Sequence, residues 1–425
     1  MTTAIILTFI IGYFAITLEH SIKVNKAASA LFTGVLCWTI YIMNQPDKHL
    51  VAHQLMEQLG EISGILFFLL GAMTIVELID AHDGFQIITD RIKTKNTVKL
   101  LWIIGIITFF LSSILDNLTT TIVIVSMLRK IIADREKRLF FVGITVIAAN
   151  AGGAWSPLGD VTTTMLWIGG QVTALNIILQ LFIPSIFCLL VPLLLISPRL
   201  KGNFDTPPID EKIVSNSTIF ERNFVFSLGV GILIFVPIFK TITHLPPFMA
   251  ILFGLSIMWI ITEMIHNGKD TEDKDALTVV YALRKIDTPS ILFFLGILVS
   301  ISALQATGQL SQIAQWLTKT IANDTIIIMA IGLLSAVVDN VPLVAAAQGM
   351  YSLEQYPTDH FFWEFLAYAT GTGGSALIIG SAAGVAAMGM EKIEFFWYLK
   401  KITWLALVGY FAGAVIYIIQ YNLTH

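Results

Sequence analysis

The stretches SSILDNLTTTIVIV (residues 112–125) and LLSAVVDNVPLVAAA (residues 333–347) decide the fold of this chain. Each holds one Asp-Asn pair inside otherwise apolar sequence, and the two pairs are Asp116-Asn117 and Asp339-Asn340. An ionised carboxylate is costly inside a membrane, so acidic residues are rare there and mark functional sites. Finding the same pair twice indicates a duplicated chain with a polar site at its centre. Ion and solute transporters are typically built in this way.

The composition around these pairs is that of a membrane protein. Of the 425 residues, 56% are hydrophobic and only 13% are charged, and the mean hydropathy is +0.80. A soluble domain of this size needs a more highly charged surface. Cys37 and Cys188 lie far apart in apolar runs, so we expect core residues rather than a disulfide or a metal pair. The first apolar run begins at Ala4 without preceding basic residues, which favours a retained helix over a cleaved signal peptide.

Ten apolar segments are long enough to be predicted as membrane spans, so the fold class is an all-α polytopic membrane protein. The fourth segment is interrupted by AGGAWSP (residues 151–157) and the ninth by GTGG (residues 371–374). The ten segments lie at about 4–20, 25–43, 60–79, 139–170, 173–196, 223–240, 247–265, 289–306, 361–389 and 396–420.

Two further apolar stretches, at about 98–131 and 324–350, contain the Asp-Asn pairs, and each is either one spanning helix or a re-entrant hairpin. If both are hairpins, all but three of the Lys and Arg residues fall on one side of the membrane, whereas two spanning helices give a nearly even distribution. The three exceptions are Lys48, Lys240 and Lys319. The positive-inside rule therefore favours hairpins, with both chain termini on the outer side. An arm at 99–114 would be roughly 24 Å long, short of the ~30 Å hydrocarbon core.

The two halves are predicted to be inverted repeats. ILFFLLG at 65–71 matches ILFFLGI at 291–297, and a polar segment, an Asp-Asn stretch and a Gly-rich break follow in the same order in each half. Each repeat has five transmembrane helices and one re-entrant hairpin, and an odd number of spans forces the halves into opposite orientations. The predicted units are an N-terminal repeat at 1–197, a cytoplasmic linker at 198–222 and a C-terminal repeat at 223–425.

The first half offers the richer predicted site. Asp116 and Asn117 lie at a hairpin tip, where helix ends leave backbone groups unpaired. Carboxylate, amide, hydroxyl and carbonyl oxygens suit a hard cation, and discontinuous helices are where transporters place such oxygens. Further candidates in this half are Ser112, Thr119, Asn150, Asp160, Thr162 and Thr163. The residues at which we expect Na+ to bind are Asp116, Asn117, Asn150 and Asp160.

The second half offers a related but poorer site. Asp339 and Asn340 form its tip, and Pro342 fits the start of the second hairpin arm. In the repeat alignment Ser381 stands where Asp160 stands, so the first half has two carboxylates and the second has one. This asymmetry indicates one full ion site and one supporting site. The supporting residues predicted in this half are Ser335, Thr370, Thr372, Ser375 and Ser381.

The predicted mechanism is competition between a proton and Na+ for the same carboxylate. Desolvation favours the neutral form of a buried carboxylic acid, whereas a bound cation favours its ionised form. Exchange follows if the binding site moves from one side of the membrane to the other with either a proton or Na⁺ bound, and does not move when it is empty and ionised. Asp116 and Asp160 are the first candidates for this role, and Asp339 is the third. No cofactor is expected.

Other polar residues of the apolar segments have less specific patterns. Glu77 closes the third span, where both a supporting role in a proton path and an ordinary helix end fit the sequence. His82 is a candidate pH sensor, since an unperturbed histidine titrates near neutral pH. Glu364 is predicted to be a solvated start of the ninth span, and His266 is predicted to lie at the membrane interface.

Five strings of this sequence resemble the NhaD-type sodium/proton antiporters of the ion transporter superfamily. They are GAMTIVELIDAHDGF at 71–85, SSILDNLTTT at 112–121, NAGGAWSPLGDVTTTMLW at 150–167, AVVDNVPLVAAAQGMY at 336–351 and GTGGSALIIGSAAGVA at 371–386. The resemblance implies efflux of sodium or lithium in exchange for protons, and so a part in pH homeostasis. It places the protein in a bacterial inner membrane or an organelle membrane of bacterial origin. Relatives in the superfamily are often homodimers with elevator-like movement, which is an analogy of fold.

The resemblance also implies which residues take part in exchange. They are Asp116, Asn117, Asn150, Asp160, Thr162, Thr163, Ser335, Asp339 and Asn340. The strings that carry the resemblance lie in both halves of the chain, whereas the loops at 198–222 and 267–288 carry none.

Two other functions compete with this interpretation. A sodium-coupled carboxylate symporter or anion exporter of the same superfamily would need tips rich in hydrogen-bond donors, and three carboxylates near the tips argue against it. An intramembrane aspartyl protease needs two aspartates that share a proton, and Leu158-Gly159-Asp160 superficially resembles the Gly-Asp element of such a protease. A protease would have no use for the duplicated architecture or for the second Asp-Asn pair.

Overall fold

The structure is a computed structural model that describes residues 2–89, 92, 94–200, 202–203, 217–267 and 276–424. Within these ranges the chain is helical, and β-structure is limited to an isolated bridge between Asn96 and Asn203. The prediction of an all-α membrane protein is confirmed. Cys37 and Cys188 are both buried and free, as expected of core residues.

The helices of the N-terminal half, with one 3₁₀ turn at its end, are Thr2–Thr17, Glu19–Ile22, Lys26–Met43, Lys48–Ala81, Gln86–Thr89, Thr97–Leu115, Asn117–Ile131, Arg135–Ala154, Val161–Ile168, Ala174–Ile196 and Ser197–Arg199. Those of the C-terminal half are Ile219–Thr243, Pro247–Ile265, Val279–Lys285, Thr288–Ala306, Gln309–Ile321, Asp324–Leu334, Asn340–Met350, Phe361–Gly373, Ala382–Glu391, Phe395–Lys401 and Thr403–Thr424. The predicted linker at 198–222 lies largely outside the described residues, and a helix already begins within it at Ile219.

Eight helices of the described residues are long and apolar enough to cross a membrane, whereas the sequence predicted ten spans. The first predicted span has only 16 residues, at Thr2–Thr17. The fourth and ninth predicted spans are each broken into shorter helices. The eight helices are Lys26–Met43, Lys48–Ala81, Thr97–Leu115, Ala174–Arg199, Ile219–Thr243, Pro247–Ile265, Thr288–Ala306 and Thr403–Leu423.

Two of these helices are longer than predicted because a side chain caps each of them further upstream. Asp47 accepts from the Leu50 amide at 3.0 Å, and the helix Lys48–Ala81 runs for 34 residues, or roughly 51 Å. Asn96 accepts from the Lys99 amide at 2.9 Å and starts the helix Thr97–Leu115. That arm has 19 residues, or roughly 28 Å, so the expected shorter arm is wrong and length does not distinguish a hairpin from a span here.

Four interrupted elements surround the Asp-Asn pairs. We name Thr97–Leu115 with Asn117–Ile131 the first hairpin, and Asp324–Leu334 with Asn340–Met350 the second hairpin. The first broken helix is Arg135–Ala154 with Val161–Ile168, and the second broken helix is Phe361–Gly373 with Ala382–Glu391. The interruptions fall where the sequence predicts them, at the Asp-Asn pairs and at the Gly-rich breaks.

The two broken helices run antiparallel and cross at their breaks. At one end, the Arg138 Nε atom lies 3.1 Å from a Glu391 carboxylate oxygen, which joins the start of the first broken helix to the end of the second. At the other end, the Thr173 hydroxyl donates to Asp359 at 2.7 Å, and the Thr358 hydroxyl donates to the Gly170 carbonyl at 2.7 Å. The start of each broken helix is therefore held against the end of the other.

Each hairpin brings its two ends together. In the second hairpin, the Tyr356 hydroxyl, just beyond the second arm, donates to Asp324 at the start of the first arm at 2.9 Å. In the first hairpin, the Thr97 amide donates to the Gly202 carbonyl at 3.1 Å, and Lys137, beyond the second arm, donates to the Asn203 carbonyl at 3.1 Å. Gly202 and Asn203 thus contact the start of the first hairpin and the start of the broken helix that follows it.

Matching glycines let each hairpin approach its broken helix closely. A Cβ atom on Gly152 would lie 2.1 Å from the Phe109 carbonyl oxygen, and one on Gly373 would lie 2.0 Å from the Gly332 carbonyl oxygen. No real Cβ atom tolerates such distances, so both positions require glycine because of backbone contact. The same packing contact therefore occurs once in each half.

Candidate functional site

The first hairpin turns at a single residue, Asp116, which ends one arm and caps the next. Its φ of 94° lies in the region that favours glycine, and such backbone costs a non-glycine residue roughly 1–3 kcal/mol. The carboxylate offsets this cost, since its two oxygens accept from the Thr119 amide and the Thr119 hydroxyl, both at 2.8 Å. The predicted supporting role of Thr119 thus corresponds to a direct contact that fixes the Asp116 side chain.

Asp160 lies at the centre of the site and is only 2% exposed. It caps the second part of the first broken helix, where its Oδ1 atom accepts from the Thr162 amide and the Thr162 hydroxyl, both at 2.9 Å. Its Oδ2 atom accepts from the Asn117 side chain at 3.0 Å. The carboxylate is therefore oriented by its own helix and by the tip of the first hairpin.

The second half also reaches this carboxylate. The Asn340 side chain, from the tip of the second hairpin, donates to the two oxygens of Asp160 at 3.4 and 3.3 Å. Asn117 and Asn340 are the equivalent residues of the two Asp-Asn pairs, so both tips converge on one carboxylate.

Asn150 ties the two broken helices together behind Asp160. Its side-chain oxygen accepts from Asn117 at 3.0 Å, and its nitrogen donates to the hydroxyls of Ser375 and Ser381, both at 2.9 Å. Three predicted site residues from the Gly-rich breaks are thereby joined in one buried network. Asn150 orients Asn117 and does not itself line the central cavity.

Asp339, the third predicted carboxylate, has a different neighbour. Its Oδ1 atom accepts from the Val341 amide at 3.3 Å, and its Oδ2 atom lies 3.7 Å from the ammonium nitrogen of Lys26. Both side chains are partly shielded, at 21% and 26% exposure. Lys26 begins the helix Lys26–Met43, and nothing in its sequence context distinguishes it from an ordinary interfacial lysine.

All three aspartates line one cavity of about 50 Å³. A water molecule needs roughly 10–15 Å³ of such space, so the cavity has room for a small hydrated ion. Its remaining polar wall comes from Lys26, Asn117, Ser290 and Asn340. Among the described residues, no group of three or more His, Cys, Asp or Glu side chains is arranged to hold a metal ion. The polar groups of the cavity wall are therefore three carboxylates, two side-chain amides, one hydroxyl and one ammonium group.

Several predicted supporting residues hold the backbone rather than face the cavity. Ser112 donates to the Ala149 carbonyl at 2.6 Å, and Ser335 donates to the Thr370 carbonyl at 3.1 Å, which joins each hairpin to its broken helix. Other hydroxyls bond carbonyls of their own element: Thr163 to Ala154, Thr370 to Leu366 and Thr372 to Tyr368. Glu77 is half-buried beside Asp80 and Lys285, one turn beyond the cavity-lining Met73.

Two residues predicted to be solvated or interfacial are buried. Glu364 is 1% exposed, accepts from the Tyr417 hydroxyl at 2.6 Å and is bonded by the Asn176 side chain. His266 is 1% exposed and stacks on the fully buried His82 ring, with 5.1 Å between ring centroids. The prediction of a solvated Glu364 is wrong because neighbouring helices cover a position that looks terminal in the sequence, whereas the interfacial position of His266 stays a prediction.

Comparison with known protein families shows the class of protein to which the chain belongs. A family model described as "Citrate transporter" (CitMHS) matches residues 13–373 of the chain. This match covers most of the chain, including both hairpins and the first broken helix. Together with the apolar helices and the buried carboxylates, it places the chain among integral membrane transport proteins.

Three similar proteins identify the group within this family. "Sodium/proton antiporter 1" of Arabidopsis thaliana is 49% identical over 99% of this chain and 73% of its own length. "Sodium/proton antiporter 2" of the same plant is 48% identical over 98% of this chain. "Na(+)/H(+) antiporter NhaD" of Vibrio cholerae is 30% identical over 98% of this chain and 91% of its own length. The chain belongs to this citrate transporter family and, within it, to the NhaD-type sodium/proton antiporters.

Proposed function

We propose that this protein is a secondary-active antiporter that exports Na⁺ in exchange for H⁺, with Li⁺ as an alternative cargo. The observation that carries the proposal is the buried Asp160 carboxylate, which Asn117 and Asn340 contact from the two hairpin tips, beside Asp116 in one small cavity. An ionised group so placed is costly without a counter-ion. Either a cation or a proton relieves that cost, and exchange requires that the two compete for the same group.

In this proposal, exchange requires only that Na⁺ and protons compete for the carboxylates of Asp116 and Asp160. When Asp116 and Asp160 are ionised, their oxygens attract Na⁺, and the Thr119 and Thr162 hydroxyls and the Asn117 side chain are within reach as further ligands. When the carboxylates are protonated, the same volume is neutral and cation binding is lost. The loaded or protonated site crosses the membrane, whereas the empty ionised site does not, because an uncompensated charge is expensive in the low-dielectric interior.

We propose further that the halves at 1–197 and 223–425 are inverted repeats, each with one re-entrant hairpin. The antiparallel crossing of the broken helices supports this topology, as do the joined ends of each hairpin. Basic residues at the end of the first hairpin and the start of the first broken helix support an orientation: Arg129, Arg135 and Arg138 all contact Glu391 or its backbone, so these ends share one face. By the positive-inside rule that face is cytoplasmic, which puts both termini outside.

Other properties follow from the family resemblance and stay predictions. They are a homodimeric assembly, elevator-like movement of one domain, a part in pH homeostasis, and residence in a bacterial inner membrane or an organelle membrane of bacterial origin. Relatives from a plant and from a bacterium are compatible with these two membranes.

The test uses Asp116→Asn in proteoliposomes that contain a pH-sensitive dye. Asparagine tolerates positive φ and caps helices as aspartate does, so this substitution removes the charge and keeps the turn. Addition of Na⁺ outside wild-type vesicles should raise the internal pH, because inward Na⁺ drives protons out. Choline should have no effect, and Asp116→Asn should abolish the response.

A matched control is Asp134→Asn. Asp134 also caps a helix, accepting from the Glu136 amide at 2.8 Å, but it lies at the basic face and not in the cavity. This variant should exchange like wild type. If wild-type vesicles with folded protein respond to no monovalent cation, the antiporter proposal is wrong.

A sodium-coupled carboxylate symporter or anion exporter is the second candidate. Two observations favour it: the family model carries the description of a citrate transporter, and Lys26 places one ammonium group in the cavity. Three carboxylates against one ammonium still give the cavity negative character, which opposes binding of a multivalent anion. Uptake of labelled dicarboxylate or citrate by the same vesicles, driven by Na⁺, would establish this candidate instead.

A further inference from the structure

Lys26 is the feature of the cavity that the exchange mechanism does not use. Among the described residues it is the only basic side chain in the cavity wall, and its ammonium nitrogen lies 3.7 Å from the Asp339 carboxylate. An ammonium group is a monovalent cation attached to the chain. At this distance it neutralises Asp339 as a bound Na⁺ would.

The position of Lys26 is fixed by packing on the side away from Asp339. Its ammonium nitrogen lies 4.5 Å from the centroid of the Phe293 ring, a cation–π contact. Its backbone amide donates to the Glu19 carboxylate at 3.2 Å. The helix that it begins packs closely against Thr288–Ala306, since a Cβ atom on Gly296 would lie 2.4 Å from the Leu31 nitrogen. Lys26 is therefore held at the second tip by the architecture around it.

The first tip has no such group. Asp116 and Asp160 accept only from neutral donors, namely the amides and hydroxyls of Thr119 and Thr162 and the side chains of Asn117 and Asn340. No ammonium or guanidinium group of the described residues forms an ion pair with either one. The two tips thus share an Asp-Asn pair but differ in where the compensating positive charge comes from.

We propose that Lys26 is a specificity-determining residue that occupies the cation position of the second tip. This inference rests on the proposed function. With Asp339 neutralised by the tethered ammonium, a single exchangeable cation position is left, at Asp116 and Asp160. Removing the ammonium should leave Asp339 free to attract a second monovalent cation and should increase the negative potential at the first position.

The experiment measures binding of ²²Na⁺ to the full-length protein in detergent, together with proton exchange in proteoliposomes. Wild type and Lys26→Arg should bind one Na⁺ per chain. Lys26→Gln should bind a second Na⁺ or bind the first about tenfold more tightly, as expected for loss of one positive charge from the wall of the same cavity. The control is Lys23→Gln, which removes an exposed lysine of the same segment and should match wild type.

A double variant separates charge from structure. Lys26→Gln with Asp339→Asn removes both members of the ion pair and returns the cavity to its original net charge, so it should again bind one Na⁺ with an affinity near that of wild type. The inference is overturned if Lys26→Gln binds like wild type, if Lys26→Arg binds like Lys26→Gln, or if the double variant folds but does not regain wild-type binding. Absence of both Na⁺ binding and proton exchange in wild type would instead overturn the proposed function.

Discussion

The first and second tips have the same construction and different chemistry. In each half a serine joins the hairpin to its broken helix, Ser112 to the Ala149 carbonyl and Ser335 to the Thr370 carbonyl. In the first half the cap after the Gly-rich break is the carboxylate of Asp160, whereas in the second it is the hydroxyl of Ser381, which accepts from the Gly384 amide at 3.2 Å. The contacts that define the backbone are thus shared, and the charged groups that would select an ion are not.

This difference shows that close approach of the backbone and the chemistry of the charged groups are separate constraints on the two tips. Close packing of hairpin on broken helix admits only small residues at fixed positions, so both halves retain them. The carboxylate that caps the helix after the break, by contrast, occurs only in the first half, as Asp160. The following substitutions test that separation by comparing equivalent positions of the two halves.

The largest effect is expected for the paired glycines. Gly152→Ala and Gly373→Ala should each destabilise the protein by roughly 3 kcal/mol or more, because the added methyl group meets a backbone carbonyl that cannot rotate away. Thermal unfolding in detergent measures this effect. Gly60→Ala, in a helix with nothing within 4 Å of the new atom, should be neutral or slightly stabilising. A tolerated alanine at only one of the two positions would show that the halves do not share this constraint.

The residues that cap the helices after the Gly-rich breaks are Asp160 and Ser381. Their substitutions should differ most in Na⁺-dependent exchange. Asp160→Ala should reduce Na⁺-dependent exchange by roughly 100-fold, because it removes a carboxylate of the proposed site and the acceptor that Asn117 and Asn340 share. Ser381→Ala should cost about 1 kcal/mol of stability, as expected for a lost helix cap. Its half-saturating Na⁺ concentration should stay within about threefold of wild type. Equal transport losses in the two variants would contradict the assignment of the ion to the first half.

Substitutions of the two tip asparagines, Asn117 and Asn340, should give a smaller difference in transport. Asn117 donates to Asp160 at 3.0 Å and also contacts Asn150, whereas Asn340 donates at 3.3 Å or more. A hydrogen bond to a charged group is worth about 1.5–3 kcal/mol when its geometry is good and less when it is long. Asn117→Ala should therefore raise the half-saturating Na⁺ concentration about tenfold and Asn340→Ala about threefold. The reverse order in dye-loaded vesicles would show that the second tip holds the carboxylate more firmly than the first.

The smallest effect concerns the first caps of the broken helices, Asp134 and His360. The His360 Nδ1 atom accepts from the Phe362 amide at 3.1 Å, so the ring must be unprotonated there. Burial lowers the pKa of His360 from its usual 6.5, and nearby Asp324 opposes the shift. The folded state thus favours the neutral ring, so this stabilisation is complete above pH 6.5 and is lost as the pH falls towards the lowered pKa. Because the side chain is only partly buried, the loss should be a few tenths of a kcal/mol.

Comparison of melting temperatures at pH 5 and pH 8 checks this expectation. His360→Asn supplies a cap that does not titrate in that range and should remove the corresponding part of the pH dependence. An unchanged pH profile in this variant would exclude His360 as a source of it.

The sequence predicted the centre of the molecule well, because polar residues in apolar sequence are conspicuous there. The break at Asp116 and the breaks after Asn150 and Gly371 involve residues singled out in advance, whereas the hydrogen-bond network around Asn150 was not predicted. Their prediction depended on the cost of polar groups in lipid, which is large and local.

The sequence did not predict features that arise where chain ends or distant helices meet. Lys26 looks like one of many basic residues at a helix start, and only the fold places it against Asp339. Glu391 looks like a solvated helix end but is 4% exposed between Arg129 and Arg138. The length of the arm Thr97–Leu115 was underestimated because the cap at Asn96 lies in polar sequence. Long-range contacts of this kind leave no periodic signal in the chain.

The shared donors of Asp160 have a consequence for how such a chain evolves. The carboxylate belongs to the first half, yet the set of groups that orient it is complete only when Asn340 of the second half is in place. Neither half can therefore supply the whole set of groups alone, and a mutation at the tip of the second half changes the surroundings of a carboxylate in the first. A change at either tip therefore alters the selection that acts on the other, because both act on the same carboxylate.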